Sequence, residues 1–344
     1  MSQSAHLSRP SKTNPADSDE RRHGPSTRRS LSRPLTERDG VTLREEVRDF
    51  RDVEDRSASW GGTVRRWRQY IEDKRGTSAV FENSAGETVK GSDPHRFAPD
   101  YADKQYAKLK DLERGLRDDY GKRLHTAMLT LTASSTDADG EPLPPVDHLD
   151  GPEGVLSSWS AVTRALRRCM DGRRYERLAI LEPHESGYLH VHIAVFVDGA
   201  VTRETFAPVI EAHLRNCGQA GEEAHDLGDD STVSVNHVGG DRAEDTIGNL
   251  GTYLAEYLGT YGDDPLDAPE KQQMANAVLW ATQKRRWRPS NGAQEYMATN
   301  RSEGPSDWEL VGIEDADGNV FPAEASGGGV DTFTTGPPGT DPPD

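Results

Sequence analysis

The chain has 344 residues, with 59 acidic against 41 basic side chains and a formal net charge of −18. That length allows a sizeable buried core, while two cysteines, Cys169 and Cys217, exclude a disulfide framework and a cysteine-based zinc site. No stretch approaches roughly eighteen uninterrupted apolar residues and the first residues carry no apolar signal core, so the expectation is a cytoplasmic protein without a membrane partner.

Of the basic residues only nine are Lys and 32 are Arg. In molar salt the Debye length is about 3 Å, so a dense carboxylate surface tolerates its own repulsion. The composition therefore fits a salt-loving microbe. In such salt counterion release adds little to DNA affinity, and the negative charge does not count against a nucleic-acid partner.

Residues 1–40 are rich in Ser, Arg, Pro and Asp and lack periodic apolar positions, which predicts a disordered tail. Residues 41–123 carry polar helical patterns, LREEVRDFRDVEDR, TVRRWRQYIEDK and ADKQYAKLKDLERGLRDDYGKR, broken by a Gly/Asp/Pro loop around residues 86–99. They read as an N-terminal helical extension packed on the main domain.

A core follows over residues 124–300. HTAMLTLTAS alternates as a strand, residues 155–170 have helical spacing, and RYERLAILEP and YLHVHIAVFVDG read as two strands joined by a short turn. TRETFAPVIEAHLRNC is helical, STVSVNHV is a strand, and residues 246–261 are helical. The order β-α-β-β-α-β-α predicts an α+β fold, an antiparallel-rich central sheet with helices that can all lie on one side. Residues 301–344 read as a short segment and a second disordered, Gly/Pro/Asp-rich tail.

The chemistry centres on YLHVHIAVFV. His190 and His192 are two apart on a strand, so both imidazoles project from one face. If Glu185, Ser186 and Gly187 form a three-residue loop, His184 pairs with Tyr188 and Glu182 lies opposite His190, its Cβ about 5 Å away. Glu182, His190 and His192 then form a three-ligand cluster, with His184 in reserve on the same face. Two imidazoles and a carboxylate suit Mg²⁺ or Mn²⁺ acting on a phosphate oxygen, as well as Zn²⁺. No small-molecule cofactor is called for.

Downstream, Tyr253 and Tyr257 in NLGTYLAEYLGTY are four apart, about 6 Å from each other on one helix face. Such a stripe also serves as core, as Tyr261 would. A phenol with a pKa near 10 is ionised only about once in a thousand at neutral pH, so as a nucleophile it needs a cation for the developing charge. Its attack on a phosphodiester would conserve the bond energy in a phosphotyrosine ester, which separates strand transfer from hydrolysis.

Three segments in order resemble the HUH endonucleases and, among them, the rolling-circle replication initiators of plasmids and small viruses: MLTLTAS (residues 128–134), HVHIAVF, and YLAEY (residues 253–257). The resemblance implies that His190 and His192 hold the metal with Glu182 as third ligand. It also implies that Tyr253 or Tyr257 attacks the scissile phosphate, leaving a 5′-phosphotyrosine and a 3′-hydroxyl that primes synthesis. Many members carry Lys where this chain has Glu256.

Beyond the core motifs, Lys284, Arg285, Arg286 and Arg288 surround Trp287, an arrangement that can track phosphates and stack a base; RRWRQY (residues 65–70) is similar. A basic helix end favoured by the dipole is the plainer reading.

Histidine-triad hydrolases want a third histidine where Ala194 stands, and cupin-like sites a Glu where Phe196 and Val197 stand. Relaxases usually place the tyrosine ahead of three histidines, and single-tyrosine HUH transposases are shorter. A non-catalytic plasmid DNA-binding regulator is the remaining rival. The resemblance implies single-stranded or hairpin origin DNA as the partner, and since no phosphate-binding G-x-x-x-x-G-K-[ST] loop is present, a host helicase, polymerase and single-strand-binding protein are expected beside it.

Overall fold

The computed structural model describes residues 27–47, 58–92, 95–238, 264–297 and 308–322. Its centre is a five-stranded antiparallel sheet of β3 (Leu124–Leu131), β4 (Tyr175–Pro183), β5 (Leu189–Asp198), β6 (Val233–His237) and β7 (Trp287–Pro289), in the order β6-β3-β5-β4-β7. β5 takes the middle because every residue from Leu189 to Val197 is apolar or histidine and can be buried on both faces.

Side-chain alternation sends the strands to two cores. Val191, Ile193, Val195 and Val197 join Ala127, Leu129, Ala179 and Leu181 in the larger one. Ala194 and Phe196 join Leu178 and Ile180 in the smaller. The larger core is filled by Trp159–Cys169, Ala207–Asn216, Trp60–Arg75 and Glu270–Thr282, the smaller by Pro99–Tyr120 and Asn291–Met297. Helices therefore cover both faces of the sheet. Of the helices predicted for the core, the two described ones, Trp159–Cys169 and Ala207–Asn216, share one face, and the second face takes the Pro99–Tyr120 helix of the predicted extension, which buries its own apolar stripe of Leu109, Leu112 and Leu116.

A second antiparallel sheet, β2-β1-β8-β9, pairs β1 (Ser78–Asn83) and β2 (Thr88–Ser92) with β8 (Trp308–Glu314) and β9 (Val320–Pro322). The predicted polar loop before residue 99 is thus in part a hairpin, turning at Gly86 with φ +77°. Of the predicted helices, the one over residues 43–56 falls mostly outside the described residues and the one over 246–261 wholly so; both predicted tails lie largely or entirely outside them. No described helix is long and apolar enough to cross a membrane.

Candidate metal centre

The β4–β5 hairpin has the register that its short loop dictates. His184 N donates to Tyr188 O (2.8 Å), Gly187 N donates to His184 O (2.9 Å), and Glu182 pairs with His190. Gly187 holds φ +84°, which glycine alone adopts cheaply, and a Cβ there would meet Met274 at 2.9 Å. The turn is seated against the Glu270–Thr282 helix, fixing the end of the sheet where the histidines stand.

His190 and His192 project from the face that carries Ala194 and Phe196, beyond the smaller core. Their Nε2 atoms are 2.7 Å apart, and Glu182 Oε2 lies 2.6 Å from His192 Nε2 and 3.6 Å from His190 Nε2. One ligand atom from each residue lies within 4.8 Å of the others, and among the described residues this is the one such group. Convergence of two imidazole nitrogens and a carboxylate oxygen on one point is what a divalent cation requires. Burial alone would raise the Glu182 carboxyl, but the hydrogen bonds from His190 and His192 outweigh it and pull it down to about 2. Burial, with His184 and His192 nearby, lowers His190 to about 3. Glu182 is thus an anion beside a neutral imidazole, the protonation pattern of a ligand set.

The MLTLTAS strand runs alongside. Thr130 pairs with His192, and its Oγ1 is 3.2 Å from His192 Nδ1. Thr132 Oγ1 is 3.0 Å from His184 Nε2, and the His184 ring lies 4.0 Å, centroid to centroid, from that of His190. Neither threonine had a role in the sequence reading, although both lie in its first motif. Three more buried histidines, His148, His213 and His225, hold the backbone at Thr132 and Ala133. His184, the reserve ligand, is spent on Thr132 and His190.

Tyr253, Tyr257 and the intervening Glu256 lie outside the described residues. In the basic segment, Lys284 pairs with Asp150 at 2.8 Å and Arg286 bonds Asn276, while Arg285 and Arg288 are exposed. Trp287, expected to stack a base, is 9% exposed and belongs to the smaller core, with Nε1 3.5 Å from the Tyr101 hydroxyl. β7 explains this: the segment adds an edge strand to β4 and turns the indole inward. Trp67 of RRWRQY is likewise fully buried.

Residues 32–339 match the family described as "Putative rep protein (DUF1424)". An "Uncharacterized 36 kDa protein" of Halobacterium salinarum is 47% identical over 287 residues, covering 81% of this chain and 90% of the relative. A protein of the same description from Halobacterium sp. (strain GN101) is 43% identical over 289 residues, covering 80% and 87%. No solved structure matches the chain.

Proposed function

The chain belongs to the rep protein family that residues 32–339 match, and from that premise we propose that it initiates rolling-circle replication by nicking and rejoining single-stranded or hairpin origin DNA. The observation that carries this reading is the meeting of Glu182, His190 and His192 on the β4–β5 hairpin. These residues would hold Mg²⁺ or Mn²⁺, which when bound polarises a phosphate oxygen. Glu182 contributes the negative charge and the imidazoles their Nε2 lone pairs.

Tyr253 or Tyr257 is the nucleophile in this reading. Its oxygen forms a bond to the scissile phosphorus as the bond to the 3′ oxygen breaks; the phenol proton passes to solvent and the 3′ oxygen gains one. The 5′-phosphotyrosine retains the energy for the reverse reaction, which rejoins the strand. Two tyrosines allow one to initiate and the other to terminate. Arg285 and Arg288 contact phosphates along the strand. The partners are origin DNA and a host helicase, polymerase and single-strand-binding protein.

The test is covalent capture. Full-length protein with Mn²⁺ in molar salt is mixed with labelled single-stranded oligonucleotides tiling the replicon that encodes it. The expected result is a detergent-stable adduct on the 5′ phosphate of one oligonucleotide, lost when both Tyr253→Phe and Tyr257→Phe are present. His190→Ala and His192→Ala should lose the adduct and keep DNA binding. An adduct that survives the double Phe change removes the assigned nucleophiles.

A further inference from the structure

Strand β3 ends at Leu131, and Thr130 and Thr132 stand on either side of that end. Each backs one imidazole of the candidate metal centre. Thr130 reaches His192 directly, Oγ1 to Nδ1 at 3.2 Å. Thr132 acts through a ring: its Oγ1 meets His184 Nε2 at 3.0 Å, and His184 lies against His190. Thr132 is itself held on both backbone groups, its N–H donating to His225 Nε2 (3.2 Å) and its carbonyl accepting from His213 Nε2 (2.9 Å).

We propose that Thr130 is the positioning residue that holds the His192 ring through Nδ1 while Nε2 is offered to the cation, and that the Thr132–His184 pair holds the ring of His190. The inference rests on the reading of Glu182, His190 and His192 as a metal centre. His192 Nε2 stands 2.6 Å from a carboxylate oxygen, so it carries the ring proton, and Nδ1 accepts from the Thr130 hydroxyl. To hold a cation, Nε2 must present its lone pair, which places the one ring proton on Nδ1. The same hydroxyl must then turn and accept. A hydroxyl serves both tautomers because it donates and accepts, whereas the near-isosteric valine serves neither. Partners of this kind behind a metal-bound imidazole fix its tautomer and ring orientation.

The experiment uses the full chain in molar salt, with Mn²⁺ affinity measured by electron paramagnetic resonance and histidine tautomers by ¹⁵N NMR. Thr130→Val should weaken Mn²⁺ binding about 10-fold or more, the usual effect of losing such a partner, and shift the metal-free His192 Nδ1 resonance to that of a ring nitrogen without a hydrogen-bond partner. Thr130→Ser should restore both the affinity and the Nδ1 resonance, which a purely structural loss would not do. Should Thr130→Val fail to fold, Thr130→Ala carries the same test. Wild-type affinity in a folded Thr130→Val protein overturns the positioning role while leaving the metal centre standing. If His192→Ala binds Mn²⁺ as tightly as the wild type, the metal centre itself is refuted and the inference falls with it.

Discussion

His213 donates from Nε2 to the backbone carbonyl of Thr132 across 2.9 Å, although the two residues are 81 apart in sequence. Its other nitrogen meets Ser158 Oγ at 2.7 Å, and the ring is fully buried. Burial lowers His213 and His148 to about 4 and lowers His225 as well. Above the ordinary histidine value of 6.5 these rings are neutral whether the chain is folded or not, so they give no pH dependence there. As the pH falls below it, the unfolded chain takes up protons that the folded chain refuses. Stability should therefore decline until about pH 4, by on the order of 3 kcal/mol for His213. Urea midpoints in molar KCl with chelator should fall between pH 7 and 4.5. His213→Gln should be less stable at pH 7 and show a shallower decline. A flat wild-type profile contradicts the account.

Gly187 is a second point where the site depends on a distant element. Its positive φ and the 2.9 Å approach to Met274 mean that Gly187→Ala meets backbone strain and a clash together, costing roughly 2 kcal/mol. Met274→Ala removes the clash with the Sδ and methyl atoms but not the backbone strain. The double variant should thus be more stable than the sum of the single losses, as a urea double-mutant cycle would show. Strict additivity would mean that the Met274 Sδ and methyl group, as distinct from the Cβ that alanine retains at 2.9 Å, do not press on the turn.

The parts of this fold that the sequence discloses are local ones. β3 and β6 show their alternation of apolar positions, β4 and β5 show continuous apolar runs, and the Glu182–His190 pairing follows from a three-residue loop ending in a glycine. What stayed hidden depends on long-range pairing. β1 meets β8 across more than two hundred intervening residues, and both carry polar residues on an exposed face. β7 is only three residues long and reads as a basic patch until β4 is placed beside it. Thr130 stood in a recognised motif, yet its contact with His192 exists only once β3 and β5 are in register. Charge density around Trp287 suggested exposure, whereas burial of its indole is decided by the strand edge.

Metal binding should appear as stability. A ligand that binds only the folded chain adds about 2.7 kcal/mol when present at a hundred times its dissociation constant. Millimolar Mn²⁺ should raise the urea midpoint of the wild-type chain, and excess chelator should reverse the rise. His190→Ala and Glu182→Gln should abolish it, since each removes one of three converging ligand atoms. An equal rise in those variants would place the cation elsewhere.

Arg285, Arg288 and Trp287 are neighbours in sequence but are expected to report on different properties. Each cation bound to a strand phosphate releases counterions, so losing one contact should reduce the slope of log affinity against log salt by about 0.7 for single-stranded DNA. Arg285→Ala and Arg288→Ala should each show that reduction in fluorescence anisotropy titrations, uniformly across oligonucleotide sequences. Trp287→Phe keeps most of the buried apolar ring but loses the indole N–H that faces Tyr101, so it should lower stability and leave the salt slope unchanged. A Trp287→Phe protein that is fully stable but weakened toward DNA would mean that the indole leaves the core to stack on a base. That outcome would require β7 to detach from β4 when DNA binds, because the Ile180–Trp287 pairing holds the ring inward.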